Sequence, residues 1–146
     1  MKVAKLFVLG AVVAAGVAYA EVEPTDPNVI ARHELMSLVG KNTGILGGMA
    51  SGKTPFDATA AEGAKAALIE ASAKIEATFK DQGGADPASE AKPEIWTSWD
   101  DFLKKAGALG AAATAVDVAS AETIGAGMGA IGGSCKDCHS TYRMMK

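Results

Sequence analysis

The sequence has little of what most functional sites are built from. It carries only two cysteines and two histidines, so a structural zinc centre of about four ligands would need every one of them. No βαβ pattern accompanies the Cys-x-x-Cys pair. That argues against a thioredoxin-type disulfide, which would also leave the neighbouring histidine without a role. No stretch of strand-like alternation and no internal repeat stands out, and β-branched runs are few, which disfavours sheet architectures. Basic residues number 14 against 17 acidic ones, a balance that makes nucleic acid an unsuitable partner.

The one long apolar run lies at the start. Lys2 and Lys5 precede an apolar core from Leu6 to Val17, and Ala18-Tyr19-Ala20 follows as a small-x-small site. This pattern predicts a cleaved signal peptide over residues 1–20 and a mature domain over 21–146. The run is short for a bilayer span and no stop-transfer flank follows, so a retained anchor is disfavoured. Of the 14 basic residues only Lys2 and Lys5 would be lost, leaving 12 against 17 acidic ones. Such a mildly acidic surface is ordinary solubility chemistry, although it could also meet basic redox partners.

Against this sparse background one cluster stands out near the C-terminus: Cys135-Lys136-Asp137-Cys138-His139. On a helix its two thiols and its imidazole project from neighbouring positions of one face. The spacing is that of covalent haem c attachment. Each thiol adds to one vinyl group of the porphyrin, and the adjacent histidine offers a neutral imidazole to iron. One haem c per chain is expected. In an exported bacterial protein the motif implies the periplasm, where haem is joined to such thiols.

Alanine-rich composition and well-separated Gly/Pro clusters divide the mature chain into four helical stretches. The first is expected to open with Asp26 as cap and Pro27 at its first position and to run to about Met49. Val29, Arg32, Met36, Thr43 and Gly47 share one face, with Gly40 beside them. Gly40 and Gly44 on this helix suggest close approach by another helix or a flat ring, while Gly47 and Gly48 fit a fraying last turn.

Asp57 or Thr59 can cap a second helix reaching about Lys80, with Ala64, Leu68, Ala71, Ile75 and Phe79 as its apolar stripe. The polar segment 81–93 is the longest connection, of the kind that crosses over between two helices on one side of a bundle. Ser98 is expected to cap a third helix bearing Phe102, Ala106, Leu109, Ala113 and Val116. The last helix should run from Ser120 or Ala121 to near Met144, with Ile124, Met128, Ile131, Cys135, Cys138 and Tyr142 as its seam. Cysteines in the seam put the ring inside the bundle. Trp96 and Trp99 are expected to pack rather than relay electrons.

These residues together resemble the class II c-type cytochromes, the cytochrome c′ family with its low-spin methionine-ligated relatives. The similarity covers essentially the whole mature chain. It is carried by Arg32 with Met36, by Gly52-Lys53-Thr54-Pro55-Phe56-Asp57, by Pro93-Glu94-Ile95-Trp96, and by the C-terminal attachment motif followed by Tyr142-Arg143. The resemblance implies an all-α antiparallel four-helix bundle with covalent haem c in its core. It makes Cys135 and Cys138 the thioether anchors, His139 the proximal axial ligand, Arg143 the basic residue beside that histidine, and Arg32 a partner of the haem propionates. Met36 matches the distal position, which coordinates iron in low-spin members and only blocks the sixth site in high-spin ones.

The other candidate ligands are weaker. Met128 is about 16 Å from His139 along the same helix, and Met49 is about 20 Å beyond Met36. Met144 and Met145 belong to the tail, and His33 is nearly one turn from Met36.

Two functions follow from the resemblance. The first is a periplasmic electron carrier with His139/Met36 ligation that exchanges single electrons with periplasmic redox proteins. The alternative is a five-coordinate protein that binds nitric oxide or carbon monoxide. An enzyme is not expected, because the distal face offers only Thr43, glycines and apolar residues, with His33 to one side. Homodimerisation through the first two helices is common in the family, and the small residues there would allow it.

Overall fold

Side chains with oxygen acceptors set where the helices begin. In the computed structural model, which describes residues 22–144, the Asp26 carboxylate accepts from the backbone N–H groups of Asn28 (2.8 Å) and Val29 (3.2 Å) and opens α1, Pro27–Ala50. Pro27 sits in the first turn, where its missing N–H costs nothing. Asp57, rather than Thr59, caps α2, Ala58–Phe79, by accepting from the Ala60 N–H at 2.8 Å. Ser120 and Thr123 form a reciprocal capping box at the start of α5, Ala121–Tyr142. The cleavage site expected after Ala20 lies outside the described residues.

Between α2 and α5 the chain makes a single turn of helix, α3 (Glu94–Thr97), and then α4, Trp99–Ala115. Ser98 stands at the head of α4 but makes no side-chain capping bond. Acidic Asp100 and Asp101 occupy the first turn instead, where they complement the helix dipole. α5 ends at Tyr142, two residues before the expected Met144. Arg143 turns extended there and forms a β-bridge with Ala91, flanked by Lys92 N–H to Tyr142 C=O (3.0 Å) and Met144 N–H to Glu90 C=O (2.7 Å).

The four long helices close a ring in which α1 packs on α2, α2 on α4, α4 on α5 and α5 on α1. Because α2 and α4 pack directly on each other, segment 81–93 links neighbouring helices and is not the crossover expected. It closes one end of the bundle instead. The Asp86 carboxylate accepts from the backbone of Thr25 (2.7 Å) and Asp26 (2.8 Å), and the Gly84 N–H donates to Asp26 at 2.8 Å. Gly83 makes this possible with φ at +76°, and a Cβ there would lie 2.6 Å from the Asp26 carboxylate.

The core is aliphatic, with Leu46, Leu68, Ile124 and Ile131 fully buried. The expected stripes of α2, α4 and α5 hold. On α1 the fully buried line is Val29, Arg32, Leu35, Val39, Asn42, Leu46 and Met49. Of the expected face, Val29 and Arg32 belong to this line, whereas Met36 and Thr43 lie beside it and are only half-buried. Both stripes avoid bulk solvent, because α1 packs on its neighbours along one and borders a cavity along the other.

Candidate functional site

The end of the bundle closed by segment 81–93 holds a cavity of about 510 Å³. All six residues singled out from the sequence line it: Arg32 and Met36 from α1, and Cys135, Cys138, His139 and Arg143 from α5 and its cap. Ile75 and Phe79 of α2 and Phe102 and Leu109 of α4 supply apolar walls, and Ser89, Glu90 and Ala91 of the long connection form the rim.

The packing of α1 on α5 sets which residues face each other across this space. A Cβ on Gly47 would lie 3.6 Å from Met128 Cε, and one on Gly125 would lie 3.9 Å from Ala50 Cβ. Both pairs belong to one antiparallel register. Moving about 16 Å towards the cavity along each helix leads from Gly47 to Met36 and from Met128 to His139. Met36 and His139 therefore lie at one level, on the walls that α1 and α5 give the cavity. The same register puts Gly40 at the level of Cys135, and a Cβ on Gly40 would meet nothing within 4 Å.

Burial favours the neutral form of the two thiols and of the imidazole. The Cys138 thiol is pushed up to about 11 and Cys135 also upward, both chiefly by burial. The two sulfurs are not joined to each other. His139 is pulled below its ordinary range by burial and by the nearby Arg143 guanidinium, with Glu90 opposing. An imidazole held neutral is the form that can donate its lone pair to a metal.

The two arginines differ. Arg143 is half-exposed and its Nε donates to Glu90 Oε2 at 2.6 Å. Arg32 is buried; its Nη1 and Nη2 donate to the carbonyls of Asp81 (2.9 Å) and Gln82 (3.1 Å). Neither is a freely solvated surface charge.

Several lining residues escaped the sequence analysis. Lys105 of α4 lines the cavity and donates to Asp137 Oδ2 at 2.6 Å, tying α4 to α5 beside the cysteines. Tyr142, expected in the seam of α5, stands edge-on to Phe102 and donates to Asp101 at 2.7 Å. Trp96 packs as expected, and so does Trp99 against Phe102. Met128 packs against Gly47 and Met49 is buried far from the cavity, whereas His33 sits at its edge.

A haem group fits these residues. The cavity is of ligand size, apolar on most walls, empty beside Gly40, and supplied with two thiols and a neutral imidazole on one helix face. The Thr43 hydroxyl oxygen on its lining is the one buried side-chain polar atom left without a partner among the described residues.

Comparison with known proteins agrees. The family model described as Cytochrome C′ matches residues 28–143. The cytochrome c-556 of Agrobacterium fabrum is 40% identical over 143 residues, covering 94% of this chain and 87% of its own. Among solved structures, a structural model of oxidised R. palustris cytochrome c556 superposes with a TM-score of 0.74 at 25% identity, covering 82% of this chain and 98% of its own. A ferrous cytochrome c′ variant of Alcaligenes xylosoxidans with bound NO superposes at 0.71 and 26% identity, covering 82% and 94%. The chain belongs to the cytochrome c′ family and is a haem c protein.

Proposed function

We propose that the chain is a non-enzymatic one-electron carrier of the bacterial periplasm, with haem c anchored by Cys135 and Cys138 and iron held between His139 and Met36. The observation that carries this is the helix register, which brings Met36 level with His139 at the cavity. When bound, haem supplies the iron that changes oxidation state. The protein's part is to hold two ligands of fixed spacing so that little has to move on electron transfer. A thioether favours the ferrous state and raises the reduction potential. Arg32, at the cavity wall, would meet a propionate, its guanidinium being suited to bidentate pairing with carboxylate. Arg143, tethered by Glu90, places a second positive charge on the proximal side. The partners are periplasmic redox proteins. The outer face of α1, where Leu38 is exposed in a groove with Ile30 and Lys41, is the surface through which a homodimer would form. Among the described residues no helix is long and apolar enough to cross a membrane.

The optical spectrum tests the ligation. A low-spin ferric spectrum with the red methionine-to-iron charge-transfer band, lost in Met36→Ala, is the expected result, with little change on adding carbon monoxide to the reduced wild type. One observation favours a second reading, in which iron is five-coordinate and binds nitric oxide or carbon monoxide. Gly40, one turn from Met36, has open space beside it, so the Met36 side chain would not be locked in a ligating position. A high-spin spectrum that shifts at once with carbon monoxide would select that alternative.

A further inference from the structure

Arg32 is a buried cation, and no ion pair holds it among the described residues. Its fixed position has other causes. Two of its five N–H donors go to the carbonyls of Asp81 and Gln82, just past the end of α2. Its guanidinium carbon lies 5.7 Å from the Phe79 ring centroid and 5.5 Å from that of Trp96, both distances at which a ring face attracts a cation. The Trp96 indole N–H donates to the Phe79 carbonyl at 2.8 Å, so one ring is tied to the backbone of the other.

Carbonyls and ring faces are electron-rich but carry no net charge, so the arginine's full positive charge remains at the cavity wall. Asp26 is close enough for its field to act on Arg32, but among the described residues it forms no ion pair with the guanidinium. The cation thus borders the cavity with three N–H donors unused among the described residues.

We propose that Trp96 and Phe79 are positioning residues that hold the Arg32 guanidinium at the cavity wall without a carboxylate, so that its charge acts on a haem propionate and raises the reduction potential of the iron. The proposal rests on the reading that Arg32 meets a propionate. Without the two rings only the Asp81 and Gln82 carbonyls would hold Arg32, and the guanidinium would turn more readily towards solvent, where water screens its charge.

The test is a double-mutant cycle on the purified holoprotein, read as the reduction midpoint by spectroelectrochemistry at neutral pH and low ionic strength. Arg32→Gln should lower the midpoint. Trp96→Leu should lower it by at least half as much, and Trp96→Leu added to Arg32→Gln should lower it no further. Trp96→Phe, which keeps a ring face but loses the indole donor, should restore most of the potential. Trp99→Leu, which changes a tryptophan outside this arrangement, should leave the midpoint where it was.

If Arg32→Gln leaves the midpoint unchanged, the propionate reading itself falls, and the proposal with it. If Arg32→Gln lowers it but the effect of Trp96→Leu is absent, or is undiminished in the Arg32→Gln background, Arg32 acts on haem without help from Trp96 and the positioning role is overturned. Should Trp96→Leu fail to fold, Phe79→Leu removes the opposite ring and completes the same cycle.

Discussion

The two halves of the bundle are made from the same four helices with the same spacing of seam positions, yet one is filled and the other hollow. In the half nearer loop 51–57, Leu46, Ala61, Ala113 and Ile124 lose all contact with water. In the half closed by segment 81–93, side chains of similar size, among them Ile75, Phe79 and Phe102, surround a cavity of about 510 Å³. The difference lies in what occupies the seam. Along α5 it changes from Ile124 and Ile131 to Cys135 and Cys138, and along α1 Met36 and Gly40 border the open half. Small, soft and absent side chains leave a space that aliphatic ones would have closed. An apolar periodicity therefore says where a core is, whereas residue type says whether protein alone fills it.

Removing the groups that anchor haem in the hollow half should have the largest effect. Cys135→Ala with Cys138→Ala should abolish covalent attachment, so that acid–organic extraction strips all haem from the chain, and either single change should weaken it. Haem that survives extraction from the double variant would mean that the cavity is filled by some other linkage.

A pair of truncations sharpens the comparison next. Leu46→Ala in the filled half should cost about 2–5 kcal/mol of unfolding free energy, because its surroundings cannot collapse onto the void. Ile75→Ala removes as many carbon atoms, but from a side chain that borders the cavity. In the haem-free chain it should cost clearly less, since part of its surroundings is empty already. With haem attached the two costs should converge. Equal costs in the haem-free chain, measured by denaturant unfolding, would mean that the hollow half closes up when haem is missing.

The same contrast explains what could be seen in the sequence. Helix starts were legible because Asp26-Pro27, Asp57 and Ser120 act on their own next turn, and the attachment motif was legible because its five residues contain its chemistry. The end of α5 was not, since Arg143 leaves the helix to pair with Ala91 more than fifty residues away in sequence. Nor was the setting of Arg32, whose partners Phe79, Asp81, Gln82 and Trp96 come from other segments. On α1 two adjacent stripes both avoid bulk solvent, and sequence spacing does not distinguish the one facing protein from the one facing haem. Asn42 belongs to the buried stripe because its amide donates back to the Leu38 carbonyl at 2.8 Å, a local bond that allows a polar residue into the core.

A smaller effect is expected where segment 81–93 closes the hollow half. Gly83→Ala places a side chain at φ +76° and against the Asp26 carboxylate. It should cost about 1–3 kcal/mol and loosen the N-terminus of α1, with faster amide exchange at Asn28 and Val29. The fully buried side chains of the filled half should be unaffected. Exchange that rises equally at both ends would make the bundle one cooperative unit without a weaker end.

The smallest effect belongs to Asp86, which holds the same closure by charge. The N–H groups of Asp26, Thr25 and Ala88 lower its carboxyl from 3.8 to about 2. A depressed carboxyl binds protons less readily in the folded chain than in the unfolded one, so its contribution to stability is complete above pH 3.8. Between 3.8 and about 2 the unfolded chain takes up the proton while the folded chain resists it, and the contribution fades; below about 2 it is gone. Asp86→Asn should therefore lower the thermal midpoint at neutral pH and flatten its fall across that acid window, with the haem spectrum unchanged. If the variant loses as much stability below pH 2 as at neutral pH, the carboxylate's charge is not what closes the hollow end, and the shape of the loop must do so instead.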